Sequence, residues 1–173
     1  MTTLILQTPR LRLVLESTEA VVARVAAMSP ADRAEVSPAW LARVRTAAPS
    51  PWTHGFALVE RATETIVGSC AFKGPPDADG TVEIAYAVDP GYRGRGFAKE
   101  AATALVDFAR GAGVRVIRAH TLPTTGPSTC VLAACGFEHI GAVTDPEDGL
   151  VWRWERAAPH SQSAEAPPDV RCS

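Results

Sequence analysis

Polar and apolar positions alternate in "RLRLVL", residues 10–15, and predict a strand with one wet face. Ser17 then stands where a helix N-cap belongs. "TEAVVARVAAM" follows with Glu19 in its first turn and apolar residues at helical spacing, and "SPAWLARVRTAA", 37–48, repeats the device with Pro38 at a first helical turn. The β-branched and apolar runs "GFALVER" and "TIVGSCAFKG", parted by the polar "ATE", together with "TVEIAYAV" after "PPDADG", predict an antiparallel meander. From Phe97, the residues Ala98, Ala101, Ala102, Leu105, Val106 and Ala109 recur at three- and four-residue spacing until Gly111 and Gly113, which predicts a long helix starting near Arg95. "VRVIRAHTL" reads as a strand and "PSTCVLAACGF" as a short helix closed by Gly136. "HIGAV" and "LVWRWER" are strands flanking the turn "TDPEDG". The order β-α-α-β-β-β-α-β-α-β-β describes one mixed α/β (α+β) domain over residues 1–156. Residues 157–173, with three prolines and almost no large apolar side chain, are expected to form a disordered tail.

Composition narrows the function classes. A length of 173 residues suits one domain with a sizeable core. The net charge of −2 supplies no basic footprint, so nucleic acid is not an expected partner. No stretch approaches the roughly 18 apolar residues of a membrane span, and the start lacks a signal-peptide pattern, so a cytoplasmic protein without membrane partners is expected. Cys70, Cys130, Cys135 and Cys172 lack Cys-x-x-Cys spacing and read as free thiols of a reducing compartment. His54, His120, His139 and His160 are scattered, and no metal site is expected.

The segment "GYRGRGFAKEA" carries the most specific local chemistry. Gly94 and Gly96 allow close approach of the backbone to a ligand. A helix starting just after them offers free N–H groups and the positive end of its dipole, which suits a phosphate. Arg93 and Arg95 add charge. A P-loop is absent because Phe97, Ala98 and Lys99 follow Gly96 in place of Lys-Ser/Thr, and the dinucleotide fingerprint lacks its third glycine. By itself the loop fits a capped helix with solvated arginines as well as an anion site.

The order of elements resolves this. Together with "TPRLRL", "VEIAYAVDPGYRGRGFAKEA" and "STCVLAACGF", it resembles the GNAT superfamily of acyl-CoA-dependent N-acetyltransferases, in its branch of RimJ/RimL-like enzymes acting on ribosomal-protein N-termini. The resemblance spans most of residues 7–156. It implies a mostly antiparallel seven-stranded sheet whose fourth and fifth strands splay around acetyl-CoA. It further implies pyrophosphate on the loop at Arg93, Gly94, Arg95, Gly96, Phe97 and Ala98, pantetheine on the Val88 backbone, and a primary amine as acceptor, in a monomer or homodimer. Two positions depart from the pattern: Gly91 stands where Gln or Arg is frequent, and Thr125-Gly126-Pro127-Ser128 replaces Asn-x-x-Ser, leaving Thr125 or Thr124 to supply a hydroxyl to the cofactor.

Acetyl transfer to an amine needs a base for the nitrogen's proton and an acid for the departing sulfur. Along "TVEIAYAV", Glu83 shares a face with Ala85 and Ala87 and is the segment's one carboxylate. The resemblance implies Glu83 as general base and Ser128 as thiolate acid; an ion-paired strand face and a helix N-cap are the structural alternatives. Tyr86 and His120 are further proton-handling candidates, with sheet packing expected for the first and a surface strand end for the second. Cys130 and Cys135 are expected to pack. Asp145, Glu147 and Asp148 suit either a turn or attraction of a cationic amine. A non-catalytic acyl-CoA sensor is the competing class.

Overall fold

The computed structural model describes residues 2–158. Its elements run β1 (Ile5–Gln7), β2 (Leu11–Leu15), α1 (Thr18–Ala26), α2 (Pro30–Ala34), α3 (Pro38–Thr46), β3 (Phe56–Glu60), β4 (Thr65–Phe72), β5 (Thr81–Val88), α4 (Phe97–Gly111), β6 (Val116–Thr121), α5 (Pro127–Ala134), β7 (Glu138–Asp145) and β8 (Gly149–Ala157). The strands form one sheet in the order β1-β2-β3-β4-β5-β6-β8-β7. All pairings are antiparallel except β5 with β6. The mixed, mostly antiparallel architecture expected from the sequence is therefore present, with eight strands in place of seven. The added strand, β1, has only three residues ahead of Pro9, too few to show a period.

The helix signals act as read, with one addition. Ser17 and Ser37 cap α1 and α3 by accepting the N–H groups of Ala20 and Trp40. Ser29 and Pro30 use the same device to open α2, a five-residue helix with no buried residue and hence no apolar stripe to betray it. The long α4 buries Phe97, Ala101, Ala102, Leu105, Val106 and Ala109 against the sheet. Its Phe108 meets Trp52 and Phe72, with ring centroids 5.6 and 5.8 Å away. A smaller cluster of Val21, Val25 and Val44 joins α1 to α3. Beside it the fully buried His54 accepts the Ser50 N–H at Nδ1, so Nε2 carries the proton and donates to the Thr18 hydroxyl at 2.9 Å. Burial holds this imidazole below its ordinary value of 6.5, against a smaller upward pull from Glu16.

Cys70 and Cys135 are buried free thiols. Cys130 is disulfide-bonded, which corrects the expectation of a free thiol there. β8 ends at Ala157, and the buried Ala158 donates its N–H to the Arg115 carbonyl. The remainder of the expected tail, 159–173, lies outside the described residues. Among those described, no helix is long and apolar enough to cross a membrane.

The start of α4 is tied to the opposite end of the sheet. Glu100 Oε1 accepts the Arg10 backbone N–H at 2.7 Å and the Thr8 hydroxyl, and Oε2 accepts Arg10 Nε at 3.0 Å. Arg10 Nη1 donates to the Arg95 carbonyl at 2.7 Å, while the Arg95 guanidinium pairs with the buried Glu60 at 2.6 Å. Both arginines also lie over the Phe97 ring, 4.9 and 4.7 Å from its centroid. Burial alone would raise the Glu100 carboxyl, but the Thr8 hydroxyl and the Arg10 amide and charge outweigh it and hold the group below 4.5. The Glu60 carboxyl is lowered chiefly by the Thr63 hydroxyl and then, against desolvation, by Arg95.

Two outcomes are expected. Carboxyls depressed in the folded state stabilise it above their unfolded values and lose that contribution as pH falls through the folded ones. Stability should therefore decline below pH 4.5. Glu100→Gln should flatten part of that decline in urea unfolding at stepped pH. An unchanged slope would show that Glu100 does not contribute to acid sensitivity. Separately, Gly68→Ala would drive a Cβ into the Ala87 carbonyl oxygen and to 3.0 Å from Val88 Cα, both main-chain atoms of the paired strand. Overpacking of this kind costs about 1–3 kcal/mol, and an unaltered denaturation midpoint would mean that β4 and β5 yield freely.

Candidate active site

β5 and β6 pair in parallel at only three positions, Thr81 with Val116, Val82 with Ile117 and Glu83 with Arg118. Beyond Glu83 the strands part. β6 continues against β8 through Thr121, and β5 continues against β4 through Val88. The opening holds a cavity of about 390 Å³, lined among others by Glu83, Tyr86, His120 and Ser128. The two residues expected to be catalytic, Glu83 and Ser128, thus face the same space from separate elements. Because the cavity lies at a strand edge, Ile84 and Ala85 from opposite faces of β5 both reach it.

Glu83 is held by two donors. Its Oε1 meets His120 Nδ1 at 2.9 Å and Lys73 Nζ at 3.3 Å. Both contacts fall on one oxygen, which leaves Oε2 without a protein partner among the described residues. Lys73 also lies 3.6 Å from Asp148 in the β7–β8 turn. Burial would lower the Lys73 ammonium, but the Glu83 charge and hydrogen bond, followed by Asp148 and Asp145, raise it above the ordinary 10.5. Asp145 closes the turn by accepting the N–H groups of Glu147 and Asp148, which lowers its carboxyl. Glu147 and Asp148 line the cavity, so the turn and the acidic wall are the same residues.

His120 departs from its expected place at a surface strand end. Its side chain is only 6% exposed, and its second nitrogen, Nε2, accepts Arg153 Nε at 3.2 Å. Tyr86 lines the cavity while still packing on the core. Its hydroxyl reaches the Ser128 carbonyl at 3.4 Å, and burial raises its pKa.

Ser128 does not cap α5. The N-cap is Gly126, whose N–H donates to Thr129 Oγ1 at 3.0 Å while the Thr129 hydroxyl donates back to the Gly126 carbonyl at 2.8 Å. Capping by Thr129 leaves the Ser128 side chain exposed toward the cavity. Thr125 is exposed in the loop before α5 and is not among the cavity-lining residues.

The glycine-arginine loop follows β5 through a single 3-10 turn, Pro90–Tyr92. Gly94 and Gly96 take φ of 77° and 83°, a region that favours glycine, and a Cβ at Gly96 would come 3.0 Å from Arg10 Nη2. Gly96 is the N-cap of α4 and has no side-chain cap. Among the described residues, no acceptor takes the N–H groups of Gly94, Arg95, Gly96, Phe97 or Ala98. These unpaired amides at a helix start are of the kind that suits an anion. The arginine side chains serve elsewhere: Arg93 Nε donates to the Val88 carbonyl at 3.0 Å, and Arg95 holds Glu60. Phe97 contributes only main chain, since its ring is buried. Among the described residues, no group of three or more His, Cys, Asp or Glu is placed to hold a metal.

Lys73, Arg153 and Glu35 are the cavity-related residues that periodicity did not single out. For Lys73 a signal existed: hairpin register sets it opposite Glu83, whose carbonyl accepts the Lys73 N–H at 2.8 Å. Arg153 required knowing that β8, not β7, neighbours β6.

Comparison with known proteins agrees with this geometry. The family model described as "Acetyltransferase (GNAT) domain" matches residues 7–138. An uncharacterized N-acetyltransferase p20 of Bacillus licheniformis is 29% identical over 93 residues, covering 53% of this chain and 52% of that protein. The chain thus spans about half the length of this curated relative. A GNAT-family acetyltransferase structure from Bacillus anthracis superposes with a TM-score of 0.69 at 18% identity, over 90% of this chain and 99% of that one. RimL, a ribosomal L7/L12 alpha-N-protein acetyltransferase solved with coenzyme A, gives 0.68 at 16% identity, over 89% and 98%. At these identities the two structures share the fold. The family model, the order of elements and the parting of β5 from β6 together establish that the chain belongs to the GNAT acetyltransferase family.

Proposed function

We propose that the protein transfers an acetyl group from acetyl-CoA to a primary amine by direct attack, with Glu83 as general base and Ser128 as the acid that protonates the departing sulfur. The observation that carries this reading is that Glu83 and Ser128 face one cavity at the fork of β5 and β6, while the open amides of residues 94–98 follow the same β5. Acetyl-CoA supplies an activated acyl thioester. The residues fit it: the loop amides suit its pyrophosphate, and the Val88 carbonyl retains a second lone pair beyond its bond from Arg93 for an amide of the pantetheine arm.

A nucleophilic amine must lose a proton as the C–N bond forms and the C–S bond breaks. Glu83 takes that proton on Oε2, directly or through water, because Oε1 is engaged. Ser128 gives its hydroxyl proton to the thiolate and regains one from solvent. Lys73 supports an amine acceptor, since an ammonium is already stabilised here between Glu83 and Asp148. The acidic wall of Glu35, Glu147 and Asp148 extends that preference to the approach.

Ligand binding is tested first. Coenzyme A or acetyl-CoA should raise thermal stability with the logarithm of its concentration, by about 2.7 kcal/mol at a hundredfold excess over Kd. Gly94→Val, which places a branched side chain at φ 77° beside the amides, should abolish the effect; absence of any shift in the wild type would end the acetyltransferase reading. Thiol release with an amine library then tests chemistry. Glu83→Gln and Ser128→Ala should each lower kcat/KM, the former by roughly 10²–10⁴-fold, with the acetyl-CoA shift retained. Binding without turnover in the wild type would instead identify a sensor, and unchanged turnover in both variants would remove their assigned roles.

A further inference from the structure

We propose that Arg153 is a positioning residue that fixes the tautomer of His120 and, through it, which oxygen of Glu83 faces the reacting amine. This rests on the reading of Glu83 as general base. The argument begins with register: His120 and Arg153 are directly opposed on β6 and β8, so their side chains share one face of the sheet. Arg153 Nε lies 3.2 Å from His120 Nε2. A guanidinium has N–H donors and no acceptor, so the imidazole nitrogen facing it must present its lone pair. In the neutral ring the proton then sits on Nδ1, and that N–H points at Glu83 Oε1 over 2.9 Å.

The relay runs from Arg153 to His120 to Glu83, and its last member is the one expected to touch substrate. Arg153 lies behind His120 and outside the cavity lining. With the other tautomer, two N–H groups would oppose each other across the Arg153 contact, and Nδ1 would turn a lone pair toward the carboxylate. Glu83 would lose its shorter contact and keep only Lys73, at 3.3 Å. The distinction between its oxygens would then rest on Lys73 alone, and Oε2 would be held less firmly toward the amine. The buried His54 serves as an internal contrast. There a backbone N–H points at Nδ1, and the proton is placed on Nε2. The two imidazoles therefore have opposite tautomers, each with an obligate donor facing its unprotonated nitrogen.

The test is a long-range proton–nitrogen correlation spectrum of the imidazoles in the full chain, in wild type, Arg153→Met and Arg153→Lys, with steady-state kinetics on the same preparations. In the wild type His120 should carry its proton on Nδ1 and His54 on Nε2. Arg153→Met should move proton density at His120 toward Nε2 and lower kcat by about ten- to a hundredfold, leaving KM for acetyl-CoA unchanged. Arg153→Lys, which again offers only donors, should restore the tautomer and part of kcat. A wild-type His120 protonated on Nε2 overturns the proposal without any variant, so a poorly folding Arg153→Met does not shield it. An unchanged tautomer or an unchanged kcat in a folded Arg153→Met overturns it as well. Failure of the acetyltransferase reading has a different signature, namely no consumption of thioester by the wild type, whatever the His120 spectrum shows.

Discussion

The site depends on one constraint: β5 and β6 pair only as far as Glu83 and Arg118 and then separate. A sheet that continued would pair the main-chain groups of residues 84–88 on that side and close the cavity. Because they part, the edge of β5 is open to a ligand strand of amide groups, and the side chains at the fork stand where that ligand would end. β6 tolerates the separation because β8 takes its other edge along its full length, from Val116 to Thr121. β5 tolerates it because β4 pairs it from Ile84 to Val88. The opening is thus stabilised from both flanks, and the catalytic candidates sit on a strand, Glu83 on β5, and at the start of a helix, Ser128 on α5, in place of loops.

The glycine-arginine loop shows a division of labour between main chain and side chain. Its arginines brace the loop instead of presenting free charge: Arg93 ties it to the end of β5, and Arg95 ties it to Glu60 on β3. Arg10, just before β2, and Glu100 on α4 complete the brace. What remains for an anion is a set of oriented N–H groups at the positive end of a fifteen-residue helix. Preorganised amides cost little reorganisation when a ligand arrives. That is a sufficient reason for side chains to be used in holding them.

How much of this was legible follows from which interactions are local. Caps at Ser17 and Ser37, the α4 stripe and the glycine loop depend on neighbours within a few residues, and each appears where the pattern put it. Glu83 and Ser128 were named from family resemblance, and their shared cavity is a fact of tertiary structure. Ser128 was also read as an N-cap, but Thr129, one residue on, does that work, because a threonine at the third helical position reaches back to Gly126. His120 departs, for a topological reason, from the surface place that its segment predicts. Nothing in "VRVIRAHTL" reveals that a later strand inserts beside it, and only that insertion brings Arg153 to its ring. α2 and β1 leave no periodic signal because five and three residues are too short to carry one.

The chain contains just two lysines, Lys73 and Lys99, among seventeen basic residues. Lys73 lies inside the cavity where an acyl thioester is proposed to sit. Its ion pairs with Glu83 and Asp148 raise its pKa, and an ammonium has no lone pair with which to attack. The same contacts that mark the cavity as a place for cations therefore favour the charged form of the protein's own amine, the form without the lone pair that attack on a thioester requires.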